Sequence, residues 1–315
     1  MHDTYDRCSL AVRTPDGEIA VDNSTFTSLR KKYKVCALPI IRGCVSFVEQ
    51  LKLSMDMLTK SAEMQGVDLD EPETKFEKWL VEKCGDKLMP IISAIGMVLG
   101  LALGVGLFLL FPTFGAKGLD FLTGGFIGQY ALLRSFVEGV IRMILFVGYV
   151  WIVSFMPDIR RTYEYHGAEH KSVACFEAGL ELTPENARKC TRFHPRCGTS
   201  FIFVMLILSV LVFSLPFVPW DNIWLRYLIK LPLMPVICGL GFEFIAYAGK
   251  HDNVLTRVLS APGLWMQRVT TREPDEKQLE IAILAAKSAM PDEFDPSEVD
   301  EAIERSKPTK ENDDE

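Results

Sequence analysis

The sequence predicts a mainly α-helical, polytopic membrane protein with four transmembrane helices, a small N-terminal β-hairpin and cytosolic helical segments. Hydrophobic residues make up 49% of the 315 residues. They are gathered in long uncharged blocks rather than spread in amphipathic periods, as is typical of helices that span a bilayer. The blocks alternate with basic connections, and a strongly acidic end follows the last of them.

Residues 1–89 are predicted to form a cytosolic β-hairpin followed by an amphipathic helix. Apolar and polar residues alternate on both sides of Pro15-Asp16-Gly17 within residues 9–22. This tripeptide is a turn signal between two short strands. Residues 41–64 have a mostly apolar face, but charged residues interrupt it. This helix is too charged to span a bilayer, so we expect it either to lie on the membrane surface or to pack on a cytosolic domain.

Four apolar segments are long enough to cross a membrane. They are residues 90–112, 136–156, 201–219 and 229–248. The first pair forms a transmembrane region over 90–156 and the second pair a region over 201–248.

Charged residues interrupt two of these segments. Glu138 and Arg142 lie four residues apart near the start of the second segment, so they share a helix face and are expected to pair. Glu243 lies in the fourth segment. A carboxylate inside a membrane is costly and indicates a functional site, unless it serves as a partner for Arg142 or for a backbone group.

The distribution of basic residues orients the segments. The connection 157–200 carries seven Lys and Arg residues, whereas 113–135 carries two and 217–228 carries one. Cytosolic connections carry the excess of positive charge. We therefore predict a multi-pass protein of the cytoplasmic membrane, with the connection 157–200 and both termini in the cytosol.

The C-terminal part is predicted to be a cytosolic segment over 249–290 and a disordered acidic tail over 291–315. The tail holds eleven Asp and Glu residues against three Lys and Arg residues, a composition that favours a solvated chain. The tail therefore accounts for the net charge of −7, and the rest of the chain is close to neutral. We expect no nucleic-acid partner, since no nucleic-acid-binding module is recognisable.

Local signals predict two helices inside the cytosolic connection. Residues 163–178 can form a helix that Gly179 ends. Thr183 and Pro184 are a suitable N-cap and first-turn pair for a second helix that runs to about Cys190. A Pro- and Gly-containing loop then leads into the third transmembrane segment.

The first of these helices carries the pattern H-x-x-E-H, formed by His166, Glu169 and His170. Residues i and i+4 share a helix face, so both imidazoles can reach one metal ion, and the pattern is that of an inverted zinc-peptidase motif. Neutral imidazoles suit Zn or another divalent metal, and the neighbouring Glu169 is placed to act as general base. The alternative is a pair of histidines that are hydrogen-bonded to the backbone.

Three further residues compete to complete the ligand set. His194 and Cys197 lie in the same connection with the spacing H-x-x-C, and Glu243 lies near the cytosolic end of the fourth segment. Inverted zincins take a later glutamate as a ligand, so Glu243 and His194 compete for this role. A thiol nucleophile at Cys197 is less favoured than a metal ligand or a buried cysteine.

Arg192 and Arg196 are candidate substrate-binding residues. With Arg188 and Lys189 they form a basic group that can hold a phosphate or carboxylate of a substrate. The favoured alternative for the group is contact with anionic lipid headgroups.

Several motifs together resemble the YqhQ-like bacterial membrane proteins. They are YHGAEHKS, LTPEN, RFHPRCGTSF, PGLWMQRVTTREPD, LEIAILA, AVRTPDGEI and PIIRG, together with the glutamate of the fourth segment. The resemblance covers about residues 8–290 and is most specific over 163–201. It implies an uncharacterised membrane protein that is predicted to be a metal-dependent enzyme.

Two functions are carried forward. The first is a cytosol-facing membrane metal-dependent hydrolase, most simply a zinc peptidase that acts on a peptide or a membrane protein. The second is a non-catalytic membrane factor, in which the same residues form a structural metal site or a hydrogen-bonded site and the protein docks onto another membrane machine. A closed site with four protein ligands would favour the second, because catalytic zinc keeps one position open. The sequence does not predict an oligomeric state.

Overall fold

A computed structural model describes residues 7–66, 89–195, 197–215, 222–251 and 253–306. These residues form a mainly helical protein with a two-stranded sheet at the N-terminus, which confirms the predicted fold class. The chain divides into two compact units. Unit one comprises Met1–Val67, Trp151–Val204 and Cys238–Glu315, and unit two comprises Asp68–Val150 and Met205–Ile237.

The predicted hairpin is present in unit one. Strands β1 (Arg7–Arg13) and β2 (Ile19–Thr25) pair antiparallel over their full length. Gly17 turns the chain with a φ of +88°, a left-handed conformation that glycine adopts without steric cost.

The hairpin leads into a helical segment that ends at residue 64. Helix α1 (Leu29–Lys32) and a 3₁₀ turn (Lys34–Ala37) precede helix α2 (Ile41–Met64). The bounds of α2 agree with the amphipathic helix that the sequence predicts.

The first transmembrane segment is longer than the predicted 90–112. Helix α3 (Met89–Val105) passes through a π turn (Gly106–Leu110) into helix α4 (Phe111–Leu122). Pro112 lies at the start of α4, where proline has no N–H and crowds the carbonyl four residues earlier. The π turn contains that carbonyl, so the helical path continues past the proline.

Three helices are long and apolar enough to cross a membrane among the described residues. They cover Val98–Leu122, Ala131–Val153 and Trp224–Ala248. The last two belong to α5 (Ala131–Val153) and to α9 (Ile223–Ala248), with α8 (Gly198–Phe213) between them. The third predicted span, 201–219, thus corresponds to a shorter apolar helix, and residues 216–221 lie outside the described part of the chain.

The connection between α5 and α8 folds as predicted, with one longer helix. Helix α6 (Pro157–Glu177) begins six residues before the predicted start and is followed by Gly179 with a φ of +67°. Helix α7 (Pro184–Lys189) is capped by Thr183, whose side chain accepts the N–H of Asn186.

The C-terminal part of unit one contains three helices: α10 (Val254–Thr270), α11 (Glu276–Ala289) and α12 (Pro296–Ser306). Helix α12 corrects the prediction of a disordered tail over 291–315. Its Val299 is 6% exposed and packs with Ile281 and Leu284, which offsets the entropy of ordering an acidic segment. Residues 307–315 lie outside the described part of the chain.

Two apolar clusters hold unit one together. The first joins α6 to α11 through Ala168, Cys175, Leu279 and Ile283, together with residues of and near α7. The second joins α11 and α12 to the hairpin through Ile19. The N-terminal and C-terminal parts of the chain therefore enclose α6, the helix that carries the H-x-x-E-H pattern.

Candidate metal centre

Helix α6 presents His166 and His170 on one face, with ring centroids 4.4 Å apart. Both rings are held by backbone carbonyls. His166 Nδ1 lies 2.8 Å from the carbonyl oxygen of Thr270, and His170 Nδ1 lies 2.6 Å from that of Arg192.

These contacts fix the tautomer of each neutral imidazole. A carbonyl oxygen only accepts hydrogen bonds, so each Nδ1 carries the proton and donates. The lone pair of each neutral ring then lies on Nε2. Histidines that bind metals are oriented in this way, by donating the other ring N–H to a carbonyl or a carboxylate.

Cys197 completes a group of three possible ligands. Its Sγ lies 3.3 Å from His166 Nε2, and the ligand atoms of His166, His170 and Cys197 all lie within 4.8 Å of one another. Zinc bonds of about 2.0–2.3 Å in a tetrahedral arrangement separate sulfur from nitrogen by about 3.6 Å. The donor set therefore fits zinc, and the distance of 3.3 Å between Cys197 Sγ and His166 Nε2 is close to this separation.

Charge at this site favours a thiolate. Burial opposes ionisation of Cys197, but hydrogen bonds with His166, His170 and Thr199, together with the charge of His166, lower its pKa to about 5. Burial also opposes a charged His166, yet its contact with Cys197 leaves the pKa of that imidazole raised. Thiolate is the form of cysteine that binds metals and attacks electrophiles.

The position of Cys197 at a helix start adds to this effect. Cys197 immediately precedes α8, and its carbonyl accepts the N–H of Phe201 at 3.2 Å. The positive end of a helix dipole stabilises negative charge within the first turn.

Gln267 holds the loop around Cys197 in place. This side chain of α10 is fully buried. Its Oε1 accepts the N–H of His194 at 2.8 Å, and its Nε2 donates to His194 O at 2.7 Å and to Ser200 Oγ at 3.0 Å. The amide thus fixes the chain on both sides of Cys197.

Gly167 allows the end of α10 to approach α6. An added Cβ at Gly167 would overlap the carbonyl oxygen of Arg272. The N–H of Arg272 donates to Tyr163 O at 2.8 Å. This close packing brings the Thr270 carbonyl within reach of His166.

Lys171 fastens the other side of the loop. It is 5% exposed, and its Nζ donates to the carbonyls of Arg188 and Cys190 at 2.9 and 3.0 Å. Glu273 pairs with Lys171 at 3.1 Å and with Arg192 at 3.6 Å. These contacts position the Arg192 carbonyl that orients His170.

His194 lies beside the cluster but is not part of the three-residue group. Its ring centroid is 5.9 Å from that of His170. Its Nε2 lies 3.2 Å from a carboxylate oxygen of Glu177.

Glu243 does not join the cluster either. Its Oε1 accepts Arg42 Nε at 2.6 Å, its Oε2 is bound by Arg42 Nη2, and Ile40 N lies 3.4 Å from Oε1. Arg42 comes close because α2 crosses α9 at two glycines, where a Cβ at Gly43 would lie 2.9 Å from Gly239 Cα. The carboxylate therefore serves as an ion-pair partner, and the partner is Arg42 rather than Arg142.

The remaining predicted site residues are Glu169, Arg192 and Arg196, and each has a different environment. Glu169 is exposed on α6, and its negative charge contributes to the raised pKa of His166. Arg192 has its side chain beside Glu273 and stacks over Phe193 at 5.3 Å. Arg196 lies outside the described residues.

The cluster would leave one coordination position open on a bound zinc ion. Within the described residues it supplies three protein ligands, the number that catalytic zinc sites use while keeping a fourth position for water or substrate. A closed four-ligand site built from His166, His170, His194 and Cys197 is therefore not formed, because His194 is turned to Glu177.

Sequence reasoning missed Gln267, Lys171 and Glu273. A buried glutamine that binds backbone has no local pattern, and its partners lie some seventy residues away. Lys171 had a weak signal, since a lysine beside the motif on the buried side of an amphipathic helix needs acceptors.

Comparisons with known proteins agree on a family without an assigned activity. A family described as "Protein of unknown function (DUF1385)" matches residues 38–292. The "Uncharacterized protein YqhQ" of Bacillus subtilis (strain 168) is 34% identical over 279 residues, which cover 87% of this chain and 83% of that protein. No solved structure matches the chain.

Proposed function

The chain belongs to the DUF1385 family of proteins of unknown function, and from its own side chains we propose that it is a metal-dependent hydrolase embedded in a membrane. The proposed metal is zinc, and the simplest activity is that of a peptidase. One observation carries the proposal: the ligand atoms of His166, His170 and Cys197 converge within 4.8 Å.

The anchored imidazoles support a metal site over a chance cluster. Both Nδ1 atoms donate to backbone carbonyls, and this arrangement leaves both Nε2 lone pairs available for a metal. Two histidines and one cysteine are a donor set that zinc accepts.

The chain's own residues have distinct proposed roles. Zinc held by the three ligands would supply a Lewis acid and lower the pKa of a bound water to about 7. Glu169 is proposed as the general base that accepts a proton from the attacking water. Arg192, and Arg196 by its place in the sequence, are proposed to bind a carboxylate or phosphate of the substrate.

The proposed setting is the cytosolic face of the bacterial cytoplasmic membrane, with a peptide or a membrane protein as substrate. The segment before α2 supports this setting. It exposes Tyr33, Val35 and Leu38 beside four basic residues, with no acidic residue from Phe26 to Val48. Such a segment fits anionic lipid headgroups.

Elemental analysis of the purified protein tests the metal site. We expect about one zinc per wild-type chain, loss of zinc in His166→Ala, and retention in Glu169→Gln. His194→Ala is the structure-based control, and it should keep its zinc because the His194 ring faces Glu177. A folded wild-type protein that binds no zinc or other divalent metal would overturn the proposal.

A second candidate function uses the same residues without a metal. Cys197 would act as a nucleophile and His166 as its base. The pKa of about 5 at Cys197 and the helix that starts beside it favour this alternative.

Alkylation distinguishes the two candidates. In the metal-free protein, iodoacetamide should modify Cys197 at an unchanged rate from pH 8 down to about pH 6, because its thiolate persists above its lowered pKa. If zinc is the resident cofactor, added zinc should protect Cys197 fully. In a thiol enzyme, Cys197 should instead react with iodoacetamide at the same rate with and without added zinc. Such an enzyme should also keep its hydrolytic activity in the presence of a chelator.

A further inference from the structure

Unit two contains a buried ionic cluster that the proposed hydrolase does not use. The cluster consists of Glu138, Arg142, Arg226 and Lys230, each no more than 7% exposed. Glu138 Oε1 accepts Arg142 Nη2 at 3.0 Å and Lys230 Nζ at 2.9 Å, and Arg226 binds Oε2. The predicted pair of Glu138 and Arg142 is thereby confirmed as part of a larger group.

The cluster is built into helices that are apolar and long enough to cross a membrane. Charges in such a place are costly unless they are balanced. Glu138 carries one negative charge, so it cannot neutralise both Arg142 and Lys230. It is also shared with Arg226.

The π turn between α3 and α4 fixes the position of Arg142. Pro112 has no N–H for the carbonyl of Phe108, and Arg142 Nε donates to that carbonyl at 3.1 Å. The neighbouring carbonyl of Leu109 accepts the hydroxyl of Tyr227 at 2.9 Å. The guanidinium is therefore held by the backbone and does not depend on Glu138 alone.

A small cavity adjoins the two cations. Its volume is about 10 Å³, and its walls include the carboxylate of Glu138 as well as Arg142, Lys230, Ser209 and Phe213. This is enough space for one water molecule or a monatomic ion of similar size.

Within the described residues, both cations have donors left for an occupant. Arg142 has five N–H groups, and its three bonds go to Phe108 O, Ser209 Oγ at 3.4 Å and Glu138. Lys230 has three N–H groups and one bond to Glu138, and it lies over the Phe213 ring at 4.8 Å. A site lined by two cations with spare donors selects a negative charge over a neutral molecule.

We propose that this cavity binds one chloride-sized monovalent anion between Arg142 and Lys230. The anion balances the positive charge that Glu138 leaves unneutralised on Arg142 and Lys230. The small size of the cavity excludes polyatomic anions such as sulfate and gluconate. The site is separate from the metal centre, since the metal ligands belong to unit one.

Anion-dependent stability tests the proposal. Purified protein in detergent is titrated with sodium chloride against sodium gluconate at constant ionic strength, and the thermal unfolding midpoint is followed. We expect a saturable rise with chloride and with bromide, because a ligand of the folded state raises stability by mass action. A midpoint that is the same in chloride and gluconate would overturn the proposal.

Two variants shift the anion affinity in opposite directions. Lys230→Met removes a donor and a charge and should weaken chloride binding at least about tenfold. Glu138→Gln removes the negative charge that competes with the anion, so it should tighten chloride binding. Arg134→Gln is the control in the same unit, since Arg134 contacts Asp120 and the Gly128 carbonyl outside the cavity.

The pair of variants keeps the test decisive when one of them folds poorly. Isothermal titration of wild-type protein with chloride should give a stoichiometry of one. Equal affinities in wild-type and Glu138→Gln protein would contradict the proposed competition.

Discussion

At the scale of single residues, the two proposed histidine ligands are oriented by backbone carbonyls rather than by partner side chains. The Thr270 and Arg192 carbonyls orient the two imidazoles, so whatever positions these two backbone segments controls the site. Gln267, Lys171 and Gly167 do this, and none of them is a ligand.

Gln267→Ala should lower zinc affinity about tenfold, the lower end of the range for partners outside the ligand set. The alanine leaves His194 N, His194 O and Ser200 Oγ without their shared partner, so the loop that carries Cys197 loosens. Competition with a fluorescent chelator measures the affinity. Gln65→Ala is the matched control, since Gln65 is an exposed glutamine at the end of α2, and an unchanged affinity in folded Gln267→Ala would contradict the role.

Lys171→Met should destabilise the protein by about 1–3 kcal/mol, because two buried carbonyls lose their charged donor. Thermal unfolding of the purified protein measures the change. Lys189→Met removes a lysine that is exposed on α7 and should have little effect. Equal midpoints for the two variants would show that the buried lysine adds nothing to stability.

At the scale of elements, the site requires α6 and the end of α10 to pack without a side chain between them. Gly167→Ala introduces a Cβ that overlaps the Arg272 carbonyl. The chain segment that follows α10 must then move away from α6, and the Thr270 carbonyl moves with it.

We expect Gly167→Ala both to lower the unfolding midpoint and to weaken zinc binding. Gly148→Ala is the control, because Gly148 lies inside α5 with nothing within 4 Å of an added Cβ, where alanine favours the helix. Elemental analysis and thermal unfolding on the same samples give both readouts. Full zinc occupancy in Gly167→Ala would mean that this close approach does not position His166.

Elements with local signals were predicted well from the sequence. The N-cap at Thr183 and the turn at Gly17 each lie within a few residues of the structure they specify. The extension of α4 past Pro112 was not predicted, because the π turn and the Arg142 contact that accommodate the proline depend on another helix. Helix α12 was missed for a related reason, since its stability comes from Ile19 and Ile281 in distant segments.

The candidate site shows the same division. The spacing of His166 and His170 predicts their convergence, and the H-x-x-C spacing correctly brought Cys197 into consideration. Glu243 was expected to compete for the site because intramembrane carboxylates signal function. Its Arg42 partner lies 201 residues away, and no local pattern could have indicated it.

At the scale of the whole molecule, both ends of the chain contribute to the core that surrounds α6. The hairpin packs on α11 and α12, and α11 packs on α6. The acidic end is therefore partly structural, although its composition is that of a disordered tail.

Deletion of residues 291–315 should destabilise unit one more than deletion of residues 307–315 does, because only the longer deletion removes α12. The longer deletion removes Val299, which is 6% exposed, and exposes Ile281 and Leu284 of the second cluster. Burial of such side chains contributes roughly 1.5–3 kcal/mol each, and the entropy of ordering α12 offsets part of this. We therefore expect a net loss of about 1–3 kcal/mol, measured by thermal unfolding and by the rate of limited proteolysis. Val299→Asp in the full chain should reproduce the effect, since it places a charge among apolar side chains. If both deletions leave the midpoint unchanged, α12 is not part of the folded core.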